Sequence, residues 1–254
     1  MSAYGEIRRA QNPQAAPLQP TTWFSTTNRG DSVKESRHQY QPRCISIYHL
    51  TLENARALPG LLEYLGTVFA QVIEEGMTYP QEGEMPQSTF EAYFFAADVF
   101  VGLIGSSPST AAELDNSSTC AVLGHLVAGR DIHAERGERT WEECIAGYYY
   151  IKPNYPGRSS HICNAGFIVP PAQRKNGYGS LLAKSYVHYA PQLGYQASVF
   201  NLVYVNNAAS VKLWENLGFT KAGRIPRAGR LRTADGKGEE YVDAWVIYKS
   251  FIEQ

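Results

Sequence analysis

Hydrophobic residues change their spacing along the chain, and each change predicts a different element. Residues 44–48 alternate in polarity and include β-branched side chains, which is typical of a strand. Between 58 and 75 the apolar residues recur at helical spacing, and Gly76 is suited to end that helix. Ser88 is placed to cap a second helix over 89–97. Further apolar runs predict strands over 99–105 and 145–152.

The last third of the chain is more regular, because apolar runs and helical repeats alternate there. The predicted strands cover 162–169, 197–205, 219–223 and 241–251. The predicted helices cover 179–190 and 208–217, and a charged, glycine-containing connection covers 230–240. This order of strands and helices predicts a mixed α/β sheet flanked by helices.

Two segments lack such periodicity. Residues 1–42 are rich in Gln, Pro, Thr, Ser and Asn, and are predicted to form a flexible arm. Residues 106–140 are rich in Ser, Thr, Ala and charged residues, which predicts an insertion with a short element near 122–127. The remaining chain, 43–254, is predicted to form a single domain.

Composition and charge exclude several classes of protein. The chain has 254 residues, of which 44% are hydrophobic, so it can bury a full core. A net charge of −1 argues against a strongly basic nucleic-acid binder. No apolar run approaches the length of a membrane span, so no membrane partner is predicted. The 17 Tyr residues predict a well-filled core or an aromatic pocket wall.

Cysteine and histidine usage points to a reduced, metal-free protein. Cys44, Cys120, Cys144 and Cys163 are widely spaced, and the six His are scattered, which predicts buried thiols and no metal site. No secretory signal is visible, so a cytoplasmic location is predicted. The pair at 8–9 is basic enough to leave a mitochondrial location as the alternative.

One segment has the pattern of an anion-binding loop. The apolar strand that ends at Val169 is followed by a turn and then by Arg-x-x-Gly-x-Gly at the start of a helix. Free N–H groups and the helix macrodipole favour a phosphate at such a site. The residues concerned are Arg174, Lys175, Asn176, Gly177, Tyr178, Gly179 and Ser180. The spacing and late position of the glycines do not fit a dinucleotide-binding Rossmann unit.

A second motif follows at a fixed distance. After the next strand come Asn207, Trp214 and the pair Gly218-Phe219. Over residues 145–225 the two motifs together resemble the GCN5-related N-acetyltransferase (GNAT) superfamily. The resemblance implies a mixed, mostly antiparallel central sheet in which two parallel strands, 162–169 and 197–205, splay apart. It also implies acetyl-CoA as the acetyl donor.

A closer resemblance covers about residues 60–230. The segments at 78–81, 150–155, 163–167, 193–195 and 200–203 are similar to the yeast proline-analogue N-acetyltransferases. That family acetylates and detoxifies L-azetidine-2-carboxylate and related cyclic imino acids. The resemblance implies direct transfer from acetyl-CoA to a small imino acid, and a homodimer.

The resemblance also implies roles for individual residues. The backbone of Phe167, Ile168 and Val169 would hold the pantetheine arm and the thioester, the 174–180 loop would bind the pyrophosphate, and Asn207 would contact the cofactor. Asn164 and Asn201 would orient the acceptor as catalytic residues, because an amide is not a strong general base. Many GNATs have at position 214 a Tyr that protonates the leaving thiolate, whereas this chain has Trp214.

Four further residues are candidates for binding the acceptor. Tyr79 and Tyr155 could form the wall of a ring pocket, or pack in the core. Arg158 could bind a carboxylate, or be a surface charge. His161 could relay a proton, or be structural. Alternation along the strand places Cys163 on the face opposite Asn164, which argues against a Cys nucleophile.

Two alternatives to an imino-acid acetyltransferase stay open at the level of sequence. One is a GNAT enzyme for another small amine, such as an amino acid, a polyamine or a biosynthetic intermediate. The insertion at 106–140 is compatible with that reading, because loops there could reshape the acceptor site. The other is a catalytically silent acyl-CoA-binding module, against which the presence of both Asn164 and Asn201 argues.

Overall fold

The strands that the sequence predicts pair into one sheet. The computed structural model describes residues 17–25, 43–105, 125–127 and 130–252. Within these ranges the strands are β1 (Thr21–Phe24), β2 (Cys44–Leu50), β3 (Asp98–Ile104), β4 (His125–Val127), β5 (Ile145–Pro153), β6 (Ile162–Ile168), β7 (Ala197–Tyr204), β8 (Thr220–Arg232) and β9 (Glu239–Ser250). The helices are α1 (Leu52–Arg56), α2 (Leu61–Glu75), α3 (Gln87–Phe94), α4 (Ile132–Arg136), α5 (Trp141–Cys144), α6 (Tyr178–Gln192) and α7 (Ala208–Asn216).

The described strands form a nine-stranded sheet in the order β4-β1-β2-β3-β5-β6-β7-β9-β8. Neighbouring strands are antiparallel except for β6 and β7, which are parallel. A parallel pair needs a crossover connection, and α6 provides it. The predicted fold class, a mixed and mostly antiparallel sheet with a parallel pair, is therefore confirmed.

A separate hydrophobic core covers each face of the sheet. On one face α2 and α3 pack over β3 and β5, with Phe69 and Phe94 fully buried among other aromatic rings. On the other face α6 packs over the central strands, and Tyr186 is buried between β6 and β7 residues and Trp214 of α7. Strand β6 lies between these cores, so its alternate side chains face different surroundings.

The prediction of a flexible arm over 1–42 is wrong for residues 17–25. Strand β1 pairs with β2, and its Thr21 hydroxyl lies 2.7 Å from Tyr189 Oη. Tyr189 Oη also donates to the carbonyl of Gln19 at 2.9 Å, and Trp23 Nε1 donates to Thr21 Oγ1 at 2.7 Å. A strand of four residues is too short to show periodicity. The partners that hold it lie far away in the sequence, so the sequence gives no local sign of them. Residues 1–16 and 26–42 lie outside the described residues.

The predicted insertion at 106–140 contains regular structure where the structure describes it. Strand β4 pairs with β1, in agreement with the short element predicted near 122–127. Asp131 caps α4, and Thr140 caps α5 in a reciprocal capping box with Glu143. Residues 106–124 and 128–129 lie outside the described residues.

Two predicted boundaries change in the structure. Helix α3 begins at Gln87, with Pro86 rather than Ser88 at its N-cap, because the Pro86 carbonyl already accepts the Phe90 N–H at 2.9 Å. The predicted connection at 230–240 is much shorter, since β8 continues to Arg232 and the Thr233 N–H donates to the Gly238 carbonyl at 2.9 Å. Alternating charges on an exposed hairpin hide its strand character from a periodicity argument.

Tyr189→Phe should destabilise the protein. The substitution leaves the Gln19 carbonyl and the Thr21 hydroxyl each without one buried partner, which costs about 1–3 kcal/mol. Urea unfolding measures the change, and Tyr248→Phe on the exposed part of β9 is the matched control. Equal stability of the two variants would contradict the anchoring of β1 by Tyr189.

Candidate active site

The parallel strands separate almost as soon as they meet. Strands β6 and β7 pair only at Ile162 with Ala197 and at Cys163 with Ser198. Beyond these pairs the facing edges of the two strands have no ladder between them, although both strands continue for several residues. On its other side β7 has an irregular register against β9 between Phe200 and Val203. The result is a cleft in the middle of the sheet.

Three asparagine side chains meet at the point of separation. Asn164 Nδ2 and Asn201 Nδ2 each donate to Asn154 Oδ1 at 2.7 Å. Asn154 Nδ2 donates to Asn201 Oδ1 at 3.2 Å. The two residues predicted to be catalytic therefore lie together, and Asn154 connects them.

Each asparagine is placed by a different feature of the backbone. Asn154 follows β5 directly, and its N–H donates to the Ile162 carbonyl at 2.8 Å, which closes the connection to β6. Asn164 is the third residue of β6. Asn201 lies in the register shift of β7, where it is exposed although Val199 and Phe200 before it are buried. An irregularity of this kind redirects a side chain within a strand.

Sequence reasoning missed Asn154 as a site residue. Its side chain is only 4% exposed, and its Oδ1 accepts two of the three hydrogen bonds in the cluster. The available signal was an amide directly after the aromatic strand 145–152, inside one of the segments that carry the family resemblance.

The side chains on the face of β6 that is opposite Asn164 pack in the core. Cys163 Sγ lies 3.2 Å from Tyr186 Oη, which donates to Ser198 Oγ at 2.6 Å. Burial raises the pKa of the Cys163 thiol to about 12, so the thiol stays protonated. The predicted opposition of Cys163 and Asn164 is confirmed.

Trp214 is part of the same structural face. Its ring centroid lies 5.1 Å from that of Phe167 and 4.5 Å from that of Phe200. The indole is buried among aromatic rings, and its N–H is a hydrogen-bond donor but not an acid at neutral pH. Position 214 therefore supplies no proton for a leaving thiolate.

Tyrosines cover the Asn164 face of β6. Gly166 lies opposite Tyr150 in the β5–β6 register, and a side chain at Gly166 would collide with Tyr79 Oη and lie 2.6 Å from Tyr150 Cε1. Tyr79 Oη is buried and has no hydrogen-bond partner in the described residues. Burial raises the pKa of Tyr79 well above its ordinary value, so the hydroxyl stays neutral. Tyr79 also packs edge-on against the buried ring of Phe69, so it is part of the core, and its predicted role as a pocket wall stays a prediction.

The predicted phosphate loop has the expected backbone. Gly177 adopts φ 81° as the N-cap of α6 and makes no side-chain cap, so the first N–H groups of the helix are left for a ligand. Lys175 also has a positive φ of 64°. Arg174 forms an ion pair with Glu75 at 2.8 Å, which ties the loop to the end of α2.

Arg43 and Asn207 make contacts near the predicted cofactor site that the sequence did not predict. Arg43, which sequence reasoning missed, donates from its guanidinium to the Asn176 carbonyl and brings positive charge to the loop. Asn207 Oδ1 accepts from the Ser210 N–H at 3.2 Å, so Asn207 caps α7. Its predicted contact with the cofactor stays a prediction and would have to use the Nδ2 donors.

Three predicted acceptor residues lie on the turn between β5 and β6. Tyr155 is half-buried next to Asn154, whereas Arg158 and His161 are exposed. His161 Nδ1 lies 3.2 Å from the Arg158 carbonyl. No described hydrogen bond or ion pair connects Arg158 or His161 with the asparagine cluster.

A surface cavity of about 180 Å³ lies between the end of α2 and β8, and Tyr79 is part of its lining. The charges around it are paired with each other, since Arg230 contacts Glu82 at 3.1 Å and Arg232 contacts Glu74 at 2.9 Å. The asparagine cluster is not part of this cavity, so the cleft between β6 and β7 is the better candidate site.

Comparison with known proteins identifies this arrangement. Residues 123–219 match the profile of the Acetyltransferase (GNAT) family. The chain is 38% identical to N-acetyltransferase aca1 of Schizosaccharomyces pombe over 209 residues, which are 82% of this chain and 88% of that protein. The chain belongs to the GNAT family. The sequence-based prediction of an N-acetyltransferase that uses acetyl-CoA is confirmed at this level.

A further sequence relative and two solved structures are also similar to this GNAT protein. Protein SPT10 of Saccharomyces cerevisiae is 28% identical to this chain over 205 residues. The match covers 76% of this chain but only 31% of SPT10. A GCN5-related N-acetyltransferase from Kribbella flavida has a TM-score of 0.56 at 20% identity, covering 81% of this chain and 97% of that one. YncA from Salmonella typhimurium, solved with acetyl-CoA, has a TM-score of 0.56 at 14% identity over 83% and 95% of the two chains.

The residues of the cleft fit acetyl-CoA. Backbone N–H and C=O groups of β6 that face β7 beyond Cys163 have no strand partner. The Ile168 carbonyl lies on the β5 side next to Gly147, so Phe167 and Val169, which point the other way, lie where a chain of amides could pair with them. The predicted cofactor contact of Ile168 stays a prediction. The uncapped start of α6 fits a phosphate. None of the helices in the described ranges is long and apolar enough to span a membrane.

Cys163→Ala should retain acetyl transfer within about threefold, because the protonated thiol is buried away from Asn164. The assay is release of CoA thiol in the presence of an acceptor amine. Cys144→Ala, which empties a buried thiol site in the other core, is the matched control. A hundredfold loss confined to Cys163→Ala would indicate covalent catalysis instead.

Asn154→Ala should lower kcat about ten- to a hundredfold, because both neighbouring amides lose the partner that orients them. The dissociation constant of acetyl-CoA should change little, and calorimetric titration measures it. Asn216→Ala at the exposed end of α7 is the control. Wild-type turnover in Asn154→Ala would remove Asn154 from the site.

Proposed function

We propose that the protein acetylates the ring nitrogen of a small cyclic imino acid, such as L-azetidine-2-carboxylate or another proline analogue, by direct transfer from acetyl-CoA. The observation that carries the proposal is the cluster of Asn154, Asn164 and Asn201 at the point where β6 and β7 separate. Amides orient an amine by hydrogen bonds and place no fixed charge beside it.

The hydrogen-bond pattern leaves one acceptor atom for the substrate. Asn164 Nδ2 is directed to Asn154 Oδ1, and Asn164 Oδ1 has no hydrogen-bond partner in the described part of the chain. A substrate N–H can donate to this oxygen. Because the cluster fixes the Asn164 side chain, the lone pair of the neutral amine would be held in one direction.

Bound acetyl-CoA supplies the acetyl thioester. The transfer forms an N–C bond, breaks the thioester C–S bond and releases CoA, and the amine gives up one proton. Asn164 and Asn201 are too weak as bases to keep that proton, so it passes to water or to a carbonyl oxygen. The buried Trp214 donates no proton to sulfur, so water also serves the leaving thiolate.

The surroundings of the cluster support a ring-shaped acceptor. Tyr79, Tyr93 and Tyr150 pack together on the Asn164 face of the cleft, and aromatic faces suit a small apolar ring. In the part of the chain that the structure describes, no carboxylate contacts the asparagines, although a polyamine would favour one. The relative aca1 carries the name N-acetyltransferase, which is consistent with this class.

We also propose a homodimer and a role in detoxification. Strand β8 forms one edge of the sheet, is 13 residues long and is mostly exposed. The Arg232 N–H at its end donates to the Gly76 carbonyl at 2.9 Å, and the exposed remainder of the strand is suited to pairing with a second copy. Light scattering after size-exclusion chromatography distinguishes the dimer from the monomer. The detoxification role rests on the sequence resemblance. The cytoplasmic location, with a mitochondrial one as the alternative, is proposed from the sparse and widely spaced cysteines.

An acceptor panel tests the proposed function. Azetidine-2-carboxylate and 4-hydroxyproline should release CoA thiol at least about tenfold faster than spermidine or a lysine peptide, because the cleft favours a small ring without a second cation. Equal or faster turnover of a linear amine would replace the proposal by a GNAT for that amine. Cofactor binding without any thiol release would indicate a silent acyl-CoA-binding module.

A further inference from the structure

A half-buried lysine lies beside the asparagine cluster. Lys152 of β5 is directly opposite Asn164 of β6 in the antiparallel register. Directly opposite residues share a face of the sheet and have Cβ atoms about 4.5–5.5 Å apart. Lys152 therefore projects to the same side of the cleft as the catalytic amide.

Aromatic rings enclose the Lys152 ammonium. Its Nζ lies 4.1 Å from the ring centroid of Tyr93 and 4.2 Å from that of Tyr150. The hydroxyls of these two tyrosines are hydrogen-bonded to each other at 3.0 Å. The ring faces favour a cation, but they do not neutralise its charge.

Lys152 has no counter-ion within the described ranges. No carboxylate there lies within ion-pair distance of its Nζ, and no hydrogen bond to it is formed. The titratable groups packed around it are Tyr79, Tyr93 and Tyr150, which burial keeps neutral. Burial also lowers the pKa of Lys152 to about 8. A partly desolvated cation without a counter-ion is unfavourable, so the site is suited to an anionic ligand.

The geometry points to Lys152 as the residue that binds the carboxylate of the acceptor. An imino acid whose nitrogen contacts Asn164 has its carboxylate on the adjacent carbon, within reach of a side chain from the neighbouring strand position. The acceptors would then be amino or imino acids with a free α-carboxylate. This assignment rests on the proposed function and replaces the predicted carboxylate contact of Arg158, which lies exposed on the turn after β5.

The test uses variants that change the charge or the shape of the side chain at position 152, and variants of two other basic residues. Lys152→Met keeps an unbranched side chain between the rings but removes the charge, and Lys152→Arg restores a cation. Lys184→Met on the exposed face of α6 is the matched control, and Arg158→Met tests the competing site. Each variant is assayed with the carboxylate form and the carboxamide form of the same acceptor, and urea unfolding checks its folding.

Lys152→Met should raise KM for the carboxylate acceptor at least about thirtyfold and change KM for the carboxamide less than about threefold. Lys152→Arg should recover part of the loss, and Lys184→Met should behave as wild type. Calorimetric titration of the free acid should show the same loss of affinity without turnover. Equal effects on acid and carboxamide, or a selective effect of Arg158→Met instead, would overturn the assignment.

Failure of the Lys152 assignment can be distinguished from failure of the proposed function. If the wild-type enzyme accepts linear amino acids but no cyclic imino acid, the proposed function fails, whereas Lys152 is still judged by the acid and carboxamide forms of the accepted substrate. If cyclic imino acids are accepted and Lys152→Met does not discriminate between acid and carboxamide, only the Lys152 assignment fails. A wild-type enzyme that turns over no carboxylate acceptor overturns both.

Discussion

The short parallel ladder between β6 and β7 is the constraint on which the site depends. The two strands share only two residue pairs, and beyond Cys163 and Ser198 their facing backbone groups have no partner in each other. Backbone N–H and C=O groups must find partners when they are shielded from water. A sheet that opens in its middle therefore leaves backbone groups for water or for a ligand that offers amide-like groups, and the pantetheine arm of acetyl-CoA has such groups.

The same opening explains why three amides can meet. If β6 and β7 stayed paired, Asn164 and Asn201 would lie in a continuous ladder and could not converge on a third residue. The register shift of β7 and the closed connection between β5 and β6 bring all three side chains to one point. A partly buried polar cluster specifies one geometry only when its members satisfy each other, and Asn154 does this for both neighbours.

Sequence reasoning reaches some of these features and not others. The regular alternation in β6 is enough to place Asn164 and Cys163 on opposite faces, because side-chain direction in a strand follows parity. The roles of Asn164 and Asn201 come from family resemblance, not from periodicity. Asn154 and Lys152 are missed because their significance depends on which strand lies beside β5, and a single sequence does not show strand order. Strand β1 is missed for a similar reason, since its anchor Tyr189 lies far along the chain.

The tyrosines show how one residue type serves two purposes in this fold. On the α6 side two of the hydroxyls have structural partners: Tyr149 bonds Ser185, and Tyr186 donates to Ser198. On the Asn164 side Tyr93 and Tyr150 bond each other, and Tyr79 has no hydrogen-bond partner among the described residues. Tyrosine hydroxyls that form hydrogen bonds within the protein stabilise the core. On the Asn164 face too, the buried Tyr148 donates to the Leu65 carbonyl at 2.7 Å, so that face combines core packing with a group around Lys152 that a polar substrate would complete.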